Sequence, residues 1–219
     1  MGYVWSELFP LILATIIVPL WIIIVLLMLQ GERGVRVALA FVAGATFVRL
    51  VQGILFGFVF ASSSDDNETI ITSVLLIIVA ILMLITSLKK WRKEEDPDAP
   101  PPQWMASLSS LSPLKAFGMG ALLALISSKM WVFTLSAVSI VQHPDVSTLA
   151  SIAAYLVYVV SAVLLLLLAI LYAALAPTQA KSTFGKASNW LEKNNRIIVI
   201  AVSAIFGAFF LWKGISGLI

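Results

Sequence analysis

Two cations lie where a bilayer tolerates charge least. Arg49 and Lys129 each fall near the middle of a long apolar segment, about 35–60 and 116–141, and neither segment contains Asp or Glu. A charge at a helix centre costs about 2.5–3.5 kcal/mol on insertion scales. A water-filled cavity or an anionic ligand is the usual compensation, so both residues are candidate binding groups. Thr46, Gln52 and Gly53 stand three or four residues from Arg49 and share its helical face. Ser127 and Ser128 precede Lys129 in the only strongly polar run of its segment. Pro19 interrupts another apolar run, about 7–29, and removes a ladder donor there. These seven residues, Arg49, Lys129, Ser127, Ser128, Pro19, Thr46 and Gln52, form the candidate substrate site.

The chemistry they offer is recognition of a carboxylate or phosphate. It is not catalysis. No paired carboxylate, nucleophile–histidine pair or phosphate loop appears, so no enzyme is expected. The chain has no cysteine and one histidine, His143, so no metal centre or cofactor is expected either.

The elements that position these residues follow from hydropathy. Of 219 residues, 61% are hydrophobic and 11% charged. That composition defines a polytopic membrane protein. Its positive net charge reports orientation and not a nucleic-acid partner. A span needs about 20 apolar residues. Six stretches qualify: about 7–29, 35–60, 69–88, 116–141, 148–175 and 197–218. The first has no basic flank and is longer than the core of a signal peptide, so it reads as a retained span. The loops after the first, third and fifth spans hold 11 of the 14 Lys and Arg residues; the other two loops hold none. The positive-inside rule then places both termini outside, in an inner or plasma membrane. Lys213, near the outer end of the last span, is expected to snorkel.

Two connectors carry apolar stripes. Trp104, Leu108 and Leu111 share one face, as do Phe184, Ala187 and Leu191. Both stripes predict short helices lying on the membrane surface. Tyr155 and Tyr158 read as an interfacial aromatic belt. Gly53-x-x-x-Gly57 and Ala40-x-x-x-Gly44 permit close helix contact, within one chain or across a dimer.

A shift of 110 residues lays LATIIVPLW (13–21) over LALISSKMW (123–131) and Pro19 over Lys129. Three spans per copy is an odd number, so the second copy enters the membrane inverted. The expected fold is therefore all-α. It has six transmembrane helices in two inverted three-helix repeats, 1–88 and 116–219, joined by a linker at 89–115.

The run WMASLSSLSPLKAFGMGALLALISSK (104–129) resembles the peptidoglycolipid-addressing (GAP or Sap) proteins of the lysine-exporter (LysE) superfamily. The family pattern has a Trp, Leu-x-x-Leu-(Ser/Thr)-Pro, a basic residue, Ala-Phe-Gly, Gly-x-Leu-Leu and Asn-Pro-Lys. Here it meets Trp104, Leu108, Leu111, Ser112, Pro113, Lys115, Ala116, Phe117, Gly118, Gly120, Leu122, Leu123 and Lys129. Pro19, Arg36 and Phe41–Gly44 fit its front. Ser127 and Ser128 replace Asn-Pro. The lysine stays and the helix breaker goes, which predicts a softer break in the fourth span. The resemblance implies six spans, export of a small or lipid-derived solute, and dimer-forming relatives. The expected function is secondary transport of an anionic or zwitterionic solute, with membrane lipids and a second copy as partners. An anion channel and a non-transporting assembly protein for envelope lipids are the alternatives.

Overall fold

The computed structural model describes residues 2–61, 68–92, 107–142 and 146–218. His143 and Trp104, singled out above, lie outside these residues, as does most of the 89–115 linker. The described residues fold into helices, with no strand among them. In chain order these are α1 (Gly2–Ile16), α2 (Pro19–Met28), α3 (Gly34–Ala61), α4 (Glu68–Arg92), α5 (Pro113–Ile126), α6 (Ser128–Val141), α7 (Thr148–Leu175) and α8 (Pro177–Ser216). A short 3₁₀ turn, Leu108–Ser110, precedes α5.

Four of these helices, α3, α4, α7 and α8, are long and apolar enough to cross a membrane. Two bent pairs, α1 with α2 and α5 with α6, bring the number to six if each pair is one span. The chain is thus a multi-pass membrane protein. Large apolar side chains such as Phe47, Ile54, Leu122, Leu168 and Ile205 stay exposed on the outer surface, as a hydrocarbon solvent allows.

Small residues set the helix packing. On α5, Ala116, Gly120 and Ala124 form a buried stripe at four-residue spacing. That stripe meets α3. A Cβ on Gly44 would overlap the main-chain oxygen of Phe117, and one on Gly120 would overlap that of Phe41. The two helices run antiparallel in backbone contact. Without a hydrophobic drive between helices in lipid, such close approach supplies the packing energy. Thus Gly44 serves a contact inside the chain. Gly57 does too, since Gln142 Nε2 donates to its oxygen at 3.2 Å. The helices α4 and α8 form the second antiparallel pair. Gly207 lies against Leu84, and Gly214 against Ser73 and Ile77. Ser87 Oγ donates to the Ile200 oxygen, and Arg196 donates to the oxygens of Lys90 and Trp91.

Of the two stripes expected on the membrane surface, Leu108 and Phe184 turn inward. Leu108 is buried in the core beside α2, inside a single 3₁₀ turn. Ser112 caps α5 by accepting from the Lys115 N–H, and Pro113 takes the first helical position. This gives the Leu-Ser-Pro element its structural role. The segment 181–196 is the first part of α8, which runs 40 residues without a break. Its length is about 60 Å, roughly twice the hydrocarbon core. Phe184 is buried against α2 and α7 rather than laid on lipid.

Two apolar clusters fill the interior. One surrounds Trp21, Phe41, Met130 and Phe184 at the end of the molecule that carries Arg33, Arg36 and Lys181. The other surrounds Leu8, Phe133, Tyr158 and Phe210 at the opposite end. Arg49 meets the first through Trp21 and Met130 and the second through Tyr155.

Candidate functional site

The site begins with two helix breaks. Pro19 opens α2 and forces its predecessor out of the helical region; Val18 is extended, at φ −112 and ψ 97. The axes of α1 and α2 differ by 51°. In the second bent pair the angle is 75°. Here Ser127 leaves the helix at φ −81 and ψ 100. Replacement of Asn-Pro by two serines therefore does not straighten this span. Trp131 explains part of it. Its Nε1 reaches back across the break and donates to the Leu125 oxygen at 2.6 Å. That bond satisfies a carbonyl the break would otherwise leave bare in hydrocarbon.

Arg49 lies against both breaks. It is 1% exposed. Its guanidinium stands 5.5 Å from the Trp21 ring centroid, in the first turn of α2. One nitrogen, Nη2, is 3.2 Å from Met130 Sδ, in the first turn of α6. Nε and Nη1 have no hydrogen-bond partner. The magnitudes matter. A desolvated cation–π contact gives about 2 kcal/mol, and a thioether is a weak acceptor. Burying an ion costs several kcal/mol. The chain's own contacts leave Arg49 undercompensated.

Other polar atoms share this condition. Both amide atoms of Gln52, the Thr134 and Ser136 hydroxyls and the Tyr158 hydroxyl are buried without hydrogen bonds. Thr15 and Thr134 border the Tyr158 hydroxyl without bonding it in normal geometry. Each such group costs about 1–3 kcal/mol when left unpaired. Tyr155 is better served, as its hydroxyl donates to the Arg49 main-chain oxygen at 2.6 Å. The two tyrosine rings stand 5.9 Å apart. The expected interfacial belt is therefore replaced by an internal pair.

The structure joins some predicted residues and not others. Arg49 and Gln52 are both buried on α3, with unpartnered polar atoms. Pro19 is buried two residues before Trp21. Lys129 is half-buried beside Met130 in the first turn of α6, with no ion pair among the described residues. Thr46 is half-buried on α3, and no hydrogen bond links its side chain to Arg49. Ser127 makes the break without capping α6. The side chain of Ser128 lies outside the described ones. Sequence reasoning missed Trp21, Met130, Thr15 and Thr134. The alignment of Trp21 with Trp131 was the available signal for the first.

At the far end, Lys213 does not simply snorkel. Its ammonium pairs with the Glu7 carboxylate on α1, itself 8% exposed. A short hydroxyl pair, Thr72 with Ser139, ties α4 to α6.

These features define an all-helical, multi-pass membrane protein whose buried polar core is cationic and sits between two bent helix pairs. The chain belongs to the Sap, sulfolipid-1-addressing protein, family (SfLAP), whose model matches residues 8–216. Membership suggests a role in lipid addressing. No curated protein and no solved structure matches the chain.

Proposed function

We propose that this protein is a secondary transporter, an exporter of an anionic or zwitterionic lipid-derived solute. Its site is centred on Arg49, Gln52 and Lys129, with Tyr155 and Tyr158 as the wall. One observation carries the reading: a 1%-exposed guanidinium with two unpartnered nitrogens, set against the first turns of two helices that begin mid-span. Helix N-termini and Arg together favour an anion. The family description, sulfolipid-1-addressing, points to a sulfated lipid head as that anion.

An inverted-repeat plan belongs to this proposal. Its support is the placing of the two breaks, since Pro19 and Lys129 are 110 residues apart and each stands at the start of a second half-helix. Kinship with lysine exporters, the plasma-membrane location and the outside termini are part of it too. So is the absence of enzymatic chemistry.

The test is flux of fluorescent sulfated and phosphorylated amphiphiles from proteoliposomes, beside melting temperature. Arg49→Met should lower flux about tenfold or more, the worth of a hydrogen bond to a charged group. Its melting temperature should hold or rise, because an undercompensated buried charge is removed. Lys129→Ala should lower flux as well, and Lys129→Arg should restore it only in part. If the variants melt early and flux falls only with folded protein, the charges are structural. The family description also favours a second reading, an assembly protein that places a lipid without carrying it across. No flux of any amphiphile, with a lipid-handling partner retained on purification, would select that reading.

A further inference from the structure

The end of the molecule that carries Arg33, Arg36 and Lys181 contains a cavity of about 410 Å³, and Arg36 in its wall stands roughly 20 Å along α3 from Arg49. A volume of this order suits a small ligand. Its walls come from three places: the loop between α2 and α3, the last turns of α7 and the first turns of α8. Leu29, Val35, Ala173 and Ala180 form an apolar floor. Around it stand Arg33, Arg36 and Lys181, with Glu32 the one carboxylate among the described lining residues. All three cations are exposed, and no ion pair with Glu32 engages them.

The backbone adds to this charge. Both α3, at Gly34, and α8, at Pro177, begin at the cavity wall. Neither carries an acidic residue in its first turn. The start of α8 has no side-chain cap, so its first N–H groups keep their capacity for a ligand. The loop that presents Arg33 is pinned rather than free. A Cβ on Gly34 would come within 2.7 Å of the Leu29 backbone, and Gly31 rests on the Ser109 carbonyl.

We infer that this cavity is a second anion site. It takes a phosphate or sulfate group, held by the Arg33 and Arg36 guanidinium forks and the Lys181 ammonium, with an apolar stem lying on Leu29, Ala173 and Ala180. Fork geometry suits such oxyanions. The group arrives either on a lipid head or as a free anion. The site stands apart from Arg49 and does not depend on the transport reading.

The experiment uses the full chain in a neutral detergent. Binding of phosphatidylglycerol and phosphatidylcholine is followed by native mass spectrometry and melting temperature, with inorganic phosphate and sulfate titrated in separate arms. Phosphatidylglycerol is expected to bind at least about tenfold more tightly than phosphatidylcholine. The triple variant R33Q/R36Q/K181Q should lose that preference, while Lys186→Gln, at an exposed lysine outside the cavity lining, keeps it. Binding of phosphatidylglycerol without effect of free phosphate or sulfate assigns the site to lipid heads; protection by the free ions assigns it to the anion itself. If the triple variant melts early in phosphatidylcholine, Lys181→Gln alone, at an exposed position, must still weaken binding severalfold. Equal binding of both lipids with no effect of either ion, or an undiminished preference in these variants, overturns the site.

Discussion

Tyr155 donates its hydroxyl to the main-chain oxygen of Arg49 at 2.6 Å. The residue whose guanidinium leaves two nitrogens unpartnered is thus held by its backbone from the neighbouring helix. Gly53, one turn on, makes this bond reachable, since a Cβ there would overlap the Tyr155 ring. The same tyrosine ring lies tilted against that of Tyr158, whose hydroxyl has no hydrogen-bond partner. Two tyrosines three residues apart therefore have opposite energetics.

That contrast is measurable. Tyr155→Phe should destabilise by about 1 kcal/mol, the net worth of one hydrogen bond. Tyr158→Phe should be neutral or stabilising, because it removes a buried hydroxyl that has no partner. Thermal melts in one detergent compare the two. Equal losses would mean that both hydroxyls are bonded in solution.

The contact of α3 with α5 gives a steric prediction. Gly44→Ala and Gly120→Ala should each cost about 1–3 kcal/mol, because the new methyl meets backbone that cannot swing away. Gly118→Ala has open space around it and should gain up to about 1 kcal/mol of helix propensity. Folded yield and melting temperature are the readouts. A tolerated Gly120→Ala would mean the helices stand further apart.

The Glu7–Lys213 pair is partly buried, so breaking it from one side should hurt more than removing it. Glu7→Gln alone leaves an ammonium with no counter-charge and should lower the melting temperature. Glu7→Gln combined with Lys213→Met should recover much of the loss. Equal melting of single and double variants would show the pair to be solvated.

Orientation can be read on a chain that has no native cysteine. Ser147→Cys should react with an impermeant maleimide in intact cells. Lys186→Cys, exposed on the first part of α8, should react only after permeabilisation. The reverse pattern would overturn the proposed outside termini.

Much of this arrangement was readable from residue types, for a physical reason. Hydropathy marks spans because hydrocarbon forbids unpaired backbone, and the helix limits 34–61, 68–92 and 148–175 sit close to the apolar stretches. Burial of Arg49 and Gln52 followed from their depth and shared face. What stayed hidden depends on tertiary partners. Nothing local distinguishes a tyrosine in a belt from Tyr158 in a core, or a serine that ends a helix from one that continues it. Ser127 breaks its span where a proline would have announced the break, and Trp131 reaches back over the break by a contact six residues away. Phe184 and Leu108 look amphipathic in isolation, and only the neighbouring α2 explains why they turn inward.

The long helix α8 touches both halves of the first broken span. Near its start Ser188 meets Gln30, just past α2, and near its end Lys213 holds Glu7 on α1. An unbroken rod therefore braces the joint between Ile16 and Pro19, as a diagonal strut fixes a corner of a frame. A large change in the 51° angle would strain one of these two fastenings. At the first fastening α2 also packs against Phe184 and Ala180 of the rod, while the second is an ion pair between Lys213 and Glu7.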